Sequence, residues 1–487
     1  MPRNSQLFSA AVAALGFAAL QCGGDPNVNG NPLAPPDITG GGCDAAKSPA
    51  EGGCEVSDAS GIFVSPAGSD TNPGTKAAPL KTVQAGVNAA KKDANKRNVF
   101  VCEGTYDEQI VIDDAAQGIA LHGGFGCADW AYGAKSVVLA PSKAGVVVKV
   151  AGSAGLLETF ELRAKDGDVP GASSIVVFVE AAPGMTFRRT KVFAGKGAAG
   201  KAGDSAAPFS VPALDGNDAA GGQPAPQRSC SCGSSSSVGG SGGGGTPGVL
   251  ASAGTPTIAG ADATAGKPFS ISSSPCNGAG GPGAYDGASG LAGDVVKGAS
   301  TIGTLASQGW KAEPGQPGKE GGVAQGGGGG AGLPTVHVSS GGGCGGCGGK
   351  AGGAGEGGGA SIGIAALNST LRVQSSTITT ADGGDGGKGG DGAVGQVGGK
   401  GGGPDPVGYP WCKGGAGGKG GDGSGGGGGA GGSSLGIVVV GSKELDVDKA
   451  SSFTIGSAKP GGAGGGPKGA TGGFGIDGFA AAILGNK

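Results

Sequence analysis

The sequence predicts a mainly β protein: a parallel β-helix with an N-terminal capping helix and long Gly-rich insertions. Three observations carry that expectation. First, a pattern of short apolar runs at 361–380 returns loosely at 434–455, at 174–193 and, more faintly, at 145–162. Each copy reads as one coil of a solenoid, whose short strands pair with their counterparts in the next coil. Second, one amphipathic stretch precedes the coils. Thr82 suits an N-cap, and Val83, Val87, Ala90 and Ala94 share a helical face. Third, 119 of the 487 residues are Gly, about three times the usual ~7% share. They concentrate in 195–360 and 382–432, whereas 61–194 has an ordinary globular composition.

The chain opens with a short basic segment, 1–6, and an apolar run, 7–20. That run is too short to span about 30 Å of hydrocarbon as a helix and reads as an export signal. It ends in Ala19-Leu-Gln-Cys22-Gly-Gly24, which resembles the lipobox of bacterial lipoproteins. The resemblance implies a signal peptide over 1–22, lipidation of Cys22 and a membrane anchor. Gln21 stands where the motif has a small residue, and plain secretion is the alternative. Export permits disulfides. The chain has 11 Cys, and with Cys22 set aside the even remainder suits pairing: Cys43, Cys54, Cys102 and Cys127 early, then Cys230, Cys232, Cys276, Cys344, Cys347 and Cys412 in the Gly-rich part. Spacing alone does not assign partners.

Residues 23–60, rich in Gly, Pro and Asn, read as a flexible tether. Order begins at 61 with a strand at 62–64, a turn-rich stretch at 66–79 and the helix from Thr82. Strands follow at 99–102, 110–112, 119–121 and 137–139. A helix ahead of stacked strands has a mechanical role: it covers the apolar end of the first coil and blocks pairing at its edge. Coils at 361–381 and 433–458 are each too short to bury anything alone, so they must stack on the earlier coils of 61–194. The Gly-rich 195–360 and 382–432 then leave the stack and return, and 459–487 ends in a strand or cap. Val177, Ile364 and Ile437 are expected at corresponding positions, in parallel register.

The run Val64-Ser-Pro-x-Gly-Ser-Asp-x-Asn-Pro-Gly-Thr75, then Pro79-Leu-Lys-Thr-Val-Gln-Ala-Gly-Val87 and Val99-Phe-Val-Cys-Glu-Gly-Thr-Tyr-Asp-Glu-Gln-Ile-Val-Ile112, resembles the N-terminal cap and first coils of pectin-lyase-like proteins. The turn Gly104-Thr-Tyr-x-Glu108 is similar to one shared by pectin methylesterases and a large group of uncharacterised bacterial surface proteins. The resemblance covers about 61–194. Its motifs belong to the scaffold, and they imply a right-handed parallel β-helix without implying a reaction.

The Gly-rich stretches are not random. From Asp382 the non-Gly residues fall at every third position: Asp385, Lys388, Asp391, Val394, Val397, Lys400, then Lys413, Ala416, Lys419 and Asp422. A period of three matches an extended threefold helix with ~3.1 Å rise per residue. With two Gly per triplet such a chain has two bare edges along which neighbours can exchange backbone hydrogen bonds. The expectation is polyglycine-II-like packing, with a disordered low-complexity loop as the alternative; 205–320 is expected to be irregular. Cys344 and Cys347, three apart on such a helix, would sit about 9 Å from each other, beyond the ~7 Å reach of a disulfide. They are expected to bond elsewhere, with Cys230, Cys232, Cys276 and Cys412 as candidates.

Formal net charge is −3 and aromatics make up 4% of residues. Neither a basic stripe nor stacking rings is present, so no nucleic-acid partner is expected. The two histidines, His122 and His337, lack a nucleophile elbow nearby. Paired carboxylates for hydrolysis are available at Asp113-Asp114, at Asp107 with Glu108 and at Glu158 with Glu161. Arg188, Arg189 and Lys191 are candidates for a lyase base. The polygalacturonase and pectin methylesterase signatures are missing. Asp382 and Asp385, about 9 Å apart along one edge, are poorly placed for calcium. No catalytic residue, metal or cofactor is expected. The reading is a cell-envelope or secreted β-helix protein, a lipoprotein on the outer surface of a Gram-negative cell or else secreted. Its role would be structural, adhesive or carbohydrate-binding; a polysaccharide lyase or hydrolase is the alternative.

Overall fold

The computed structural model describes residues 49–53, 55–244, 249–262, 264–267, 284–332, 338–403, 412–441, 444–466 and 471–485. The signal segment with Cys22, and Cys43, Cys54, Cys276 and His337, lie outside them.

Strand β1 (Gly61–Val64) and helix α1 (Val83–Lys92) precede six coils. The first coil is β2 (Asn98–Cys102), β3 (Gly104–Tyr106) and β4 (Ile110–Ile112). The second is β5 (Ile119–Phe125), β6 (Val137–Leu139) and β7 (Val148–Ala151). The third is β8 (Gly155–Glu158), β9 (Glu161–Arg163) and β10 (Ser174–Glu180). The fourth starts with β11 (Met185–Arg188) and β12 (Lys191–Phe193). It then leaves through two hairpins, β13 (Arg228–Cys232) with β14 (Ser235–Gly239) and β15 (Thr304–Ala306) with β16 (Gly309–Lys311), and returns at β17 (Ser361–Leu367). The fifth is β18 (Thr370–Gln374), β19 (Thr377–Thr379) and β20 (Ser434–Val440). The sixth is β21 (Glu444–Val447), β22 (Ser452–Thr454) and β23 (Ala480–Gly485).

Each coil gives one strand to each of three parallel sheets, ordered β1-β2-β5-β8-β11-β18-β21, β4-β7-β10-β17-β20-β23 and β3-β6-β9-β12-β19-β22. This is the strand order of a parallel β-helix. The register stacks like on like. Ile110, Val148, Val177, Ile364, Ile437 and Ile483 form one column. Val99, Leu121, Leu157, Phe187, Val373 and Val447 form the second. Tyr106, Leu139, Leu162, Val192, Ile378 and Phe453 form the third. The three columns share one apolar core, so every coil borrows its burial from its neighbours. Gly104-Thr-Tyr106, read from the sequence as a turn, is the strand β3 that starts the third column.

The N-terminal end is sealed. Thr82 caps α1 through Oγ1, which accepts from Ala85 N. Val83, Val87 and Ala90 are wholly buried against the core. The helix approaches so closely that a Cβ on Gly86 would lie 2.7 Å from methyl groups of Val64 and Val99. Among the described residues α1 is the only α-helix, and no helix there is long and apolar enough to cross a membrane.

All three long excursions leave at the corner between the β3-side sheet and the β4-side sheet. Their Gly-rich segments run alongside one another, joined through backbone hydrogen bonds repeating every three residues. N–H groups of 197, 200, 203 and 206 donate to carbonyls of 382, 385, 388 and 391. Those of 384, 387, 390, 393 and 396 donate to 359, 356, 353, 350 and 347. Segment 412–433 lies innermost, bonded to six neighbouring segments through the pairs Gly343–Gly415, Gly417–Gly399, Gly462–Gly429, Gly428–Gly473, Gly287–Ala416 and Gly415–Gly328. Segment 284–299 takes part through Gly287, Gly290 and Gly293, bonded to 416, 419 and 422, so the irregular structure expected over 205–320 does not hold there. Only the residue facing each neighbour must be small. The outward positions of 284–299 carry Leu291 and Val295, both exposed, which hides the triplet in the sequence.

Covalent bonds fasten this array. Cys344 bonds to Cys230 and Cys347 to Cys232, so hairpin β13–β14 is tied to segment 338–360. In the first coils Cys102 bonds to Cys127, and Cys412 is also disulfide-bonded. Such bonds persist in oxidising compartments.

Candidate functional site

The Gly104-Thr-Tyr-x-Glu108 motif is absorbed by the scaffold. Tyr106 is buried, and its hydroxyl donates to the carbonyl oxygen of Cys102 at 2.9 Å. Burial pushes its phenol pKa up. Glu108 accepts from Val83 N at 2.7 Å and Gln84 N at 2.9 Å, one carboxylate oxygen each. Negative charge at these first free N–H groups stabilises the helix. Burial raises the Glu108 pKa, against the pull of those two bonds. Asp107 points elsewhere and accepts from Ser142 N. The pair Asp107 and Glu108 is thus two separate backbone clamps. Asp113 pairs with Lys91 at 2.8 Å, while Asp114 opens a short 3-10 turn.

The densest polar cluster lies on the outer face of the seven-stranded sheet. Register aligns Phe100, His122, Glu158, Arg188 and Gln374 on successive strands. Glu158 is 0% exposed. Its Oε2 accepts from Arg188 Nη2 at 2.6 Å and Nε at 3.2 Å, and its Oε1 from Arg189 Nη2 at 2.5 Å. Arg189 adopts φ 51°, a left-handed corner that turns the chain out of β11 directly after Arg188. His122 Nδ1 lies 3.5 Å from Glu158 Oε2. Its Nε2 meets Asn98 Oδ1 at 3.2 Å, and Asn98 Nδ2 donates to Ser60 O. That chain of bonds places a proton on Nε2. Phe100 stacks against the ring at 5.6 Å.

Burial alone would raise the Glu158 pKa, but His122 and the two guanidiniums outweigh it and bring it down to about 2. At neutral pH this group is a fixed anion inside a cationic cage, so it has no proton to give as a general acid. Glu161 instead meets Arg163, whose guanidinium lies over Phe193 at 4.4 Å. Lys191 is exposed on β12. The structure therefore brings Glu158, Arg188 and Arg189 together and leaves Glu161 and Lys191 apart. It adds His122, whose place beside Glu158 becomes visible only once the coil register is known, and Asn98, which meets the other nitrogen of that ring.

A second feature is an open groove between 142–144 and 164–168, lined by Lys143, Lys165, Asp166 and Asp168. It sits at the corner from which the Gly-rich segments depart, and Asp166 ties it to them by accepting from Lys196 N at 2.7 Å. Along the array, Lys201–Asp204, Lys388–Asp391 and Lys419–Asp422 form ion pairs three residues apart. Asp382 is held by Ser457 N and by Lys459 at 3.1 Å. Among the described residues no group of three or more His, Cys, Asp or Glu side chains is placed to hold a metal ion.

A family model described as a protein of unknown function (DUF1565) matches residues 66–112, a stretch that contains α1 and the Tyr106–Glu108 clamps. That family is associated with β-helix proteins. No curated protein and no solved structure matches the chain.

Proposed function

We propose that this chain is an exported cell-envelope or secreted protein with a structural, adhesive or carbohydrate-binding role. In this reading the three sheets close as a right-handed β-helix of the pectin-lyase-like kind. The Gly-rich segments form a lateral bundle of polyglycine-II-like helices, and Cys22 is a lipid anchor in the outer membrane. The observation that carries the proposal is the hydrogen-bonded array around 412–433, fastened by the Cys230–Cys344 and Cys232–Cys347 bonds. At ~3.1 Å rise, segment 381–403 would reach about 70 Å. A long rigid projection built from backbone suits display or cohesion better than the enclosure of a substrate.

The groove at its base, with Lys143 and Lys165, is where an acidic saccharide would bind. A glycan array combined with a reducing-end assay on polyuronides tests the proposal. Binding without turnover, reduced in a Lys143→Ala/Lys165→Ala variant, supports it. Metal-dependent turnover would instead make the chain a polysaccharide lyase or hydrolase.

A further inference from the structure

The outer face of the seven-stranded sheet is buried, although nothing in its own side chains buries it. Outward positions alternate with core positions along each strand. Register lines up one row of them: Asn98, Ala120, Leu156, Thr186, Arg372 and Asp446. The first five are between 0% and 9% exposed. Among the described residues, Ala120 and Leu156 form an apolar cluster of two, apart from the core. Ala120 and Thr186, on either side of Leu156, are too short to cover it. Arg372 leans away, to Asp446 at 3.3 Å, and Arg188 is drawn to Glu158 in the neighbouring row. A cover must come from another part of the chain.

The chain already crosses this face once. Residues 49–60, read from the sequence as part of a flexible tether, begin beside the fourth coil, where Glu51 lies 3.6 Å from Arg189. They end at the first coil, where Ser60 O accepts from Asn98 Nδ2 at 3.1 Å. Between the two, Val56 packs against the cluster around Phe63 and Phe100. Glu51, Asn98, Arg188 and Arg372 each make a further interaction as well, so polar groups from the first coil to the fifth are engaged along this face. Of the segments outside the described residues, those between 245 and 470 other than 442–443 belong to the Gly-rich excursions, which leave at the corner between the other two sheets. Residues 442–443 and 486–487 adjoin only the last two coils.

We propose that residues 35–48, which run directly into 49, lie along this row as a strap. At about 3.3 Å per residue an extended segment of this length reaches about 45 Å. Five strands spaced about 4.8 Å apart span about 19 Å, so the reach suffices with room for a turn. The chemistry also fits. Ile38 supplies an apolar side chain for Leu156 and Ala120, and Asp37 and Asp44 suit the guanidiniums of Arg188 and Arg372. The docking stands independently of the role proposed above. Its consequence for that role is a shorter tether, 23–34 in place of 23–60, between an anchor at Cys22 and the stack.

Hydrogen exchange on the full chain, combined with photo-crosslinking from benzoylphenylalanine in place of Ile38, tests it. Amides of 37–48 should exchange at least about tenfold more slowly than in a free peptide of the same sequence. Crosslinks should fall on β5, β8 or β11. Leu156→Lys alters an outward position and not the core, so it should return 37–48 to the free-peptide rate while 98–193 stays protected. Free-peptide rates in the unaltered chain overturn the proposal. Slow amides with crosslinks on the array or on the other two sheets overturn it too, as does protection that survives Leu156→Lys. Should that variant lose the coil stack as well, the crosslink positions in the otherwise unaltered chain decide.

Discussion

The coil stack and the Gly-rich array solve the same problem with opposite materials. In the stack, backbone hydrogen bonds join neighbouring strands while side chains fill the middle, as in the column from Ile110 to Ile483. In the array, backbone occupies the middle. Segment 412–433 is surrounded by other segments, and at Gly421 a Cβ would overlap the carbonyl oxygen of Leu291. The stack draws on apolar burial, about 25 cal/mol per Å². The array relies on hydrogen bonds worth only about 0.5–1.5 kcal/mol each, set against the large ordering cost of Gly. This contrast explains why the disulfides to Cys344 and Cys347 lie in the array, and why its segments begin and end on coils that are already stable.

The largest effects should come from substitutions that attack each material separately. Gly421→Val places a branched side chain against backbone that has nowhere to move. We expect a loss above about 3 kcal/mol, the upper range of overpacking, seen as hydrogen exchange spreading through 284–332 and 412–433 while 98–193 stays protected. Val87→Asp does the reverse: it buries a charge without a partner under the first coil, and 61–194 should melt earlier. Gly466→Ala is the control, since nothing lies within 4 Å of the added Cβ. A neutral Gly421→Val would show that the close backbone packing is not what orders the array.

Next in size is the Glu158 cage, where the stack depends on charge. Its carboxyl is depressed from 4.5 to about 2 in the folded protein. A depressed folded pKa contributes stability that is complete above the unfolded value and lost as pH falls. Roughly 3 kcal/mol should therefore disappear between about pH 4.5 and pH 2. Glu158→Gln removes the buried carboxylate that Arg188 and Arg189 both donate to, at a cost of about 3–5 kcal/mol near neutral pH. Denaturant melts of both proteins across that window should converge as the acid limit is approached. Parallel curves would mean that the cage does not set the acid response.

Much of the stack was legible in the sequence, and for a physical reason. A coil must repeat its apolar positions to stack, so the period places Val177, Ile364 and Ile437 in one column across two long interruptions. The capping helix was legible because Thr82 and the Val83–Val87–Ala90 face obey local rules. The cage was only half legible. Glu158, Arg188 and Arg189 are candidates by residue type, but His122 joins them through coil lengths that turns of different size make uncountable from sequence. Hairpins β13–β14 and β15–β16 carry too few apolar residues to stand out. Segment 284–299 hides its period because Gly is required only where it faces a neighbour.

Reducing the array's disulfides is expected to have a smaller and more local effect. The Cys230–Cys344 bond spans a sequence separation of 114, and a disulfide typically contributes about 2–4 kcal/mol. The Cys344→Ser/Cys347→Ser variant should release hairpin β13–β14. Exchange should rise at 228–239 and 341–350, with little change at 412–433, whose hydrogen bonds to other segments remain. If the coil stack loosens as well, the array is a support of the stack rather than a passenger on it.

The smallest effect separates charge from geometry within the array. Lys388 and Asp391 lie 3.4 Å apart, three residues along one edge, and both are more than a third exposed. Such a pair contributes at most about 1 kcal/mol, so Lys388→Ala should barely move the melting of this region, and added salt should not change that. Asp391 also makes a backbone contact. Its Oδ1 accepts from Gly466 N at 2.8 Å, tying segment 381–403 to the next excursion. Asp391→Ala should therefore cost more than Lys388→Ala, with exchange rising first around 463–466. Equal costs for the two variants would mean that the ion pair, and not the backbone contact, is the reason an aspartate stands at that corner.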